Sequence, residues 1–205
     1  MTLQTARHNL AARLPSENIL VVLRDTLLAN TSWQGLKLGD CQDYIELINI
    51  HKEFLPRAHM ETNPRYKQII PYLIFKHDDR YFLMQRQSQA SEQRLKNKYS
   101  LGIGGHIRQE DLVDSVSIFD WAKREFHEEV EYRGALKIKP IGILNDDSNE
   151  VGQVHIGLVL LLEGDSPAIR VKSELKSGIL LTHKECTAYY DSMESWTQMV
   201  FKQLE

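Results

Sequence analysis

The apolar positions follow two regimes that change over near residue 68. Over residues 16–29, Ile19, Leu20, Val22, Leu23, Leu27 and Leu28 recur at intervals that predict a helix. Residues 30–40 are turn-like and contain Gly35 and Gly39; residues 41–55 carry a weaker helical pattern built on Tyr44, Leu47 and Ile48. Residues 56–64 read as a connecting loop. From Gln68 the pattern becomes short apolar runs: residues 69–75, a polar turn at 77–80, then residues 81–85, which predict a β-hairpin. A polar loop over residues 88–98 leads into a glycine-rich segment, residues 99–107. A helix is predicted over about residues 117–130, strands over 138–144 and 154–162, and a short apolar segment at 179–181. A closing helix carries Tyr189, Met193, Trp196 and Val200. Strands and helices mix without regular β-α-β alternation, so the fold class is α+β. The change near residue 68 divides the chain into a mainly helical extension, residues 1–66, and a main domain, residues 67–205.

Composition adds limits. At 205 residues and 42% hydrophobic, the chain is long enough to bury a core without covalent staples. Cys41 and Cys186 are far apart and have no ligand spacing, which points to free thiols and a reducing, cytoplasmic setting. A formal charge of −3 from 25 basic and 28 acidic residues, well mixed, argues against a nucleic-acid polymer as partner. The longest apolar runs, residues 19–23 and 158–162, are too short to span a membrane. Residues 1–13 lack the apolar middle of a signal peptide.

The chemistry concentrates in Arg124-Glu125-Phe126-His127-Glu128-Glu129-Val130. At about 100° per residue, Glu125, Glu128 and Glu129 share one helix face, while Phe119, Ala122, Phe126 and Val130 form an adjacent apolar stripe. Like charges at this spacing repel. Arg124 offers partial compensation; a hard divalent cation, which takes oxygen ligands, offers more. A solvated acidic face is the ordinary explanation for such a helix. The glycine turn upstream, Gly102-Ile103-Gly104-Gly105, changes the balance, because glycine allows a backbone to approach a ligand closely.

Turn and helix together resemble the Nudix signature, G-x5-E-x7-R-E-U-x-E-E-x-G-U, with U a bulky apolar residue. Gly104-Gly105-His106-Ile107 resembles its opening, Arg124 to Glu129 matches R-E-U-x-E-E, and the hairpin with Leu83-Met84-Gln85-Arg86 looks like the strands that precede it. The resemblance covers about residues 68–162 and is strongest to members with a lengthened G-G-H loop, predicted bacterial phosphoesterases. Gly105 and Arg124 are 19 positions apart, five more than in the signature. Asp111 occupies the counted place of the first glutamate, with Glu110 and Asp114 as alternatives. Glu131 and Tyr132 stand near the closing glycine, so the helix is expected to run on, with Gly134 as a later cap.

The resemblance implies a mixed β-sheet sandwiched by helices, with the N-terminal helical segment added. It also implies a Nudix-type pyrophosphohydrolase that uses Mg²⁺, or Mn²⁺ in its place, on a small diphosphate. Glu125, Glu128 and Glu129 are the implied metal ligands with the main-chain carbonyl near Gly105, and Arg124 orients the glutamates. Gly104, Gly105, His106 and Arg86 are implied on the substrate side. Glu150, in a polar loop between strands, is the candidate general base, with Glu174 a weaker one. His155 reads as a structural residue and His127 as exposed. Besides the diphosphate, a second copy of the chain, forming a homodimer, is the candidate partner. The alternative function is a ligand-sensing or interaction module that keeps the fold without catalysis.

Overall fold

Ile19, Leu20, Val21 and Val22 are consecutive and all buried, which a helix with a single apolar stripe does not achieve. In the computed structural model, which describes residues 17–29, 31, 33–39, 41–86, 97–112, 117–172 and 175–204, they form strand β1 (Asn18–Leu23). A short helix follows, α1 (Arg24–Leu28). The helix predicted over residues 16–29 is therefore corrected: a strand covered on both faces gives an unbroken apolar run, which periodicity alone confuses with a helix.

The turn-like stretch holds β2 (Gly35–Leu38). Helix α2 (Cys41–His51) forms as expected and buries Tyr44, Ile45 and Ile48. It is followed by β3 (Glu53–Pro56) and the single turn α3 (Arg57–Met60). The hairpin is β4 (Tyr66–His77) and β5 (Arg80–Arg86), with Asp78 at φ 51 in the turn. β1 pairs antiparallel with both β3 and β4. The segment expected as a mainly helical extension thus contributes, in its described part, strands to the same sheet as the hairpin.

Beyond the loop come β6 (Tyr99–Ser100), β7 (Gly102–Gly104), α4 (Ile118–Glu129) and β8 (Val130–Tyr132). β9 (Leu136–Asn145), α5 (Glu150–Val154) and β10 (His155–Gly164) follow. β11 (Ile169–Val171) and β12 (Leu175–Thr182) complete the strands. α4 does not run on to Gly134. Val130 turns extended and pairs with Val171, because its side chain, fully buried, is drawn into the core with Tyr132. The closing helix is also divided, into α6 (His183–Cys186), a 3-10 stretch and α7 (Ser195–Phe201), with Met193 extended between the last two.

Among the described residues the main sheet has ten strands, with β12-β5-β4-β10-β9-β2 as its path and β1, β3, β6 and β7 attached. β4 and β10 run parallel and the other pairs are antiparallel. Side chains alternate across it with period two. On β10, Ile156, Leu158, Leu160 and Leu162 face the core beneath α1, α2 and α4, whereas Val159 faces the core beneath α6 and α7. The result is the expected α+β arrangement of a mixed sheet between helical layers. No helix among the described residues is long and apolar enough to cross a membrane.

Candidate active site

Helix α4 starts on Ser117, whose hydroxyl accepts the Asp120 N–H at 3.3 Å, satisfying one of the unpaired donors of the first turn. Trp121, Ala122 and Phe126 are fully buried. Phe126 stacks on Phe75 with ring centroids 5.7 Å apart. This packing sets the rotation of the helix, so Glu125 and Glu129 sit half-buried along its border while Glu128 is exposed. β7 pairs with β4 through Tyr72↔Gly104, which holds the glycine turn beside the helix. At Gly105 a Cβ would overlap the Glu125 carboxylate and lie 3.1 Å from its Cδ. Glycine is required there because Glu125 fills the space a side chain would take.

Burial, then the neighbouring charges of Glu128, Glu129 and Asp111, push Glu125 up to about 7. The repulsion on Glu125 outweighs the relief from Arg108. The structure does not bring all three expected ligands together: the carboxylates of Glu125, Glu128 and Glu129 do not all lie within 4.8 Å of one another. Carboxylate oxygens are nevertheless the donors a hard divalent cation takes, and an ion bound among them would reverse the repulsion.

Asp111 is the acidic residue that meets the helix. Its carboxylate lies 2.8 Å from the Arg124 guanidinium and also accepts the Arg108 N–H at 2.8 Å and the Trp121 indole N–H at 3.2 Å. Arg124 reaches Glu128 less closely, at 3.5 Å. Glu110 is exposed, and Asp114 lies outside the described residues. The spacing from Gly105 to Asp111 therefore matches the signature, and the added residues fall between Asp111 and Arg124.

His106 turns inward. Its Nε2 is 2.7 Å from Gln68 Oε1 and 3.2 Å from His155 Nε2. Burial, then Arg57 and His155, hold its pKa down at about 3, so the ring is neutral. His155 Nδ1 is 2.7 Å from the Val151 carbonyl in α5. The His106–His155 contact brings the glycine turn and the α5 turn to the same end of the sheet. Glu150 opens α5 and is exposed. The turn is anchored from beneath by Lys67, fully buried, which donates to Asp147 at 2.9 Å and to the Gly152 and His155 carbonyls at 2.8 and 3.1 Å. Arg24 pairs with the same Asp147. Gly104 is exposed at the end of β7. Arg86 ends β5, but its side chain and all of Glu174 lie outside what is described. His127 is exposed, as expected.

No family model matches the chain. It is 32% identical over 203 residues to Protein YmaB of Bacillus subtilis (strain 168), covering 92% of this chain and 98% of that one. The crystal structure of Tm1382, assigned as a Nudix hydrolase, superposes with a TM-score of 0.77 at 26% identity, over 92% of this chain and 98% of that one. The chain belongs to the Nudix family.

Two more distant likenesses bear on the fold alone. The NUDIX domain of Shewanella oneidensis NrtR, solved with ADP ribose, has a TM-score of 0.53 at 11% identity, over 67% of this chain and 85% of that one. DR0079 from Deinococcus radiodurans has 0.54 at 14%, over 83% of this chain and 99% of that one. The expectation of a Nudix-type hydrolase fold is met. Within this Nudix chain, sequence reasoning passed over Lys67, Gln68 and Glu61. Lys67 carried a signal of a kind, a charged residue at the start of an apolar run. Gln68 and Glu61 carried none, since the histidines they approach, His106 and His155, lie tens of residues away.

Proposed function

We propose that this Nudix protein hydrolyses a phosphoanhydride bond in a nucleoside diphosphate linked to another moiety. Mg²⁺, or Mn²⁺ in its place, is held by Glu125, Glu128, Glu129 and the Gly105 carbonyl. The observation that carries the reading is the Glu125 carboxylate seated on the backbone of Gly105 while crowded by Glu128, Glu129 and Asp111. When bound, the metal neutralises phosphate oxygens and acidifies a coordinated water.

The chain's own residues do the rest. Gly104, exposed and without a side chain, lets phosphate approach the backbone, and Gly105 leaves room for the Glu125 carboxylate. The family resemblance makes Arg86 the candidate positive charge for the substrate. Arg124 holds Glu128 and, through Asp111, the loop ahead of the helix. Glu150 accepts the proton of the attacking water, a role supported by its exposed place on the turn that adjoins the glycine segment. His106 acts as a positioning residue rather than a phosphate contact, since its ring faces Gln68 and His155.

The test is phosphate release with Mg²⁺ from a panel of nucleotide sugars, dinucleoside polyphosphates, NADH, ADP-ribose and oxidised nucleotides. Turnover of at least one compound, lost in Glu129→Gln, is the expected result. Tight binding without turnover across the panel would overturn it in favour of a ligand-sensing module.

A further inference from the structure

We propose that Glu61, His106 and His155 form a second metal site, for a zinc-type divalent ion, separate from the carboxylates of α4. One donor atom from each lies within 4.8 Å of the others. The two imidazole Nε2 atoms are 3.2 Å apart, close to the roughly 3.3 Å between two ligands sharing a tetrahedral ion at zinc–nitrogen bond lengths. In the metal-free protein His106 Nε2–H bridges this gap, donating to His155 Nε2 and Gln68 Oε1; metal binding requires that hydrogen to leave Nε2 for Nδ1. His155 gives its Nδ1 hydrogen to the Val151 carbonyl, which leaves the Nε2 lone pair facing His106. A backbone acceptor behind a ligating histidine is the usual outer support of a metal centre.

The surroundings are built for polar atoms. Gln68 is fully buried, its Oε1 is on His106, and its Nε2 has no hydrogen-bond partner among the described residues. A buried amide left half-satisfied marks a place arranged for more than packing. Glu61 is exposed just after α3. Its Oε1 takes Arg57 Nε at 2.9 Å, and a carboxylate oxygen of Glu61 lies within 4.8 Å of both imidazole donors. Arg57 also pairs with Glu17 at 3.1 Å, which spreads its charge over two carboxylates. Two imidazoles and a single carboxylate suit a zinc-type ion; Mg²⁺ and Ca²⁺ prefer oxygen alone. An ion here would join the end of α3, the glycine turn and the start of β10. The site does not depend on the hydrolase reading.

The test titrates Co²⁺ into metal-free Glu129→Gln protein, in which the α4 carboxylates are weakened. One equivalent should bind with the visible absorption of a four-coordinate, nitrogen-containing site, and Zn²⁺ should displace it. Adding Glu61→Gln or His155→Gln should weaken Co²⁺ binding at least tenfold with circular dichroism unchanged. Absence of the band, or unchanged affinity in the Glu61→Gln protein, overturns the proposal. Should His155→Gln fail to fold, Glu61→Gln, at an exposed turn, decides alone. Failure of the hydrolase reading would show separately, as no turnover by the unmodified protein with Mg²⁺.

Discussion

Arg124 and Asp111 face each other at 2.8 Å, and the same aspartate takes the indole N–H of Trp121. One carboxylate thereby fastens the loop after the glycine turn to two successive turns of α4. Asp111→Asn keeps an acceptor but removes the charge that pairs with Arg124. Catalytic turnover should fall about tenfold, the scale of losing an outer support of a metal centre. Melting should drop by about 2–4 °C, as expected for about 1 kcal/mol in a chain of this size. Thermal denaturation alongside a turnover assay checks both; an unchanged rate would show that the loop and helix are positioned by other contacts.

Gly105 is tied to Glu125 in the opposite sense, by lack of room. In Gly105→Ala the new methyl group displaces the Glu125 carboxylate. Overpacking of this kind costs about 1–3 kcal/mol, whereas a catalytic group moved by about 1 Å costs about 100-fold in rate. Activity should therefore suffer far more than stability. A variant that loses stability but turns over normally would contradict the arrangement.

Glu129→Gln should lower Mg²⁺-dependent turnover by about 100-fold or more, since a metal ligand supplies several kcal/mol of charge stabilisation. Glu129 lies at the border of α4 and not in its core, so circular dichroism and melting should change little. Full activity in this variant would remove it from the metal set.

Asp147 gives the pH prediction. Burial would raise its pKa, but hydrogen bonds from Arg24, Asn145 and Lys67 outweigh that and hold it well below the usual carboxylate range. A depressed folded-state value means the stabilisation is fully present above the unfolded-state pKa, about 3.9. It is lost as pH falls through the folded value. Denaturant unfolding should therefore show stability falling below about pH 4. Asp147→Asn should be about 2 kcal/mol less stable at neutral pH and flatter in acid. Parallel acid limbs in both proteins would sink this account.

Several features were legible without coordinates because they are local. Helix α4 and its apolar stripe followed from spacing: Ala122, Phe126 and Val130 are buried and His127 is exposed. The β4–β5 hairpin followed from two apolar runs around a polar turn. The first strand did not. Ile19 to Val22 are covered on both faces, by residues that approach only after the sheet assembles, and this removes the alternation that marks a strand.

The amino-acid sequence by itself determined the family, the carboxylate helix and the glycine turn, because each depends on residues within a few turns of one another. Tertiary structure decided that Asp111 meets Arg124 while Glu110 stays exposed, which depends on how the loop folds back on α4. It also decided that His106 meets Gln68 and His155, and that Lys67 is buried against Asp147. Those contacts join positions distant along the chain, and only the register of β4 against β10 brings them together.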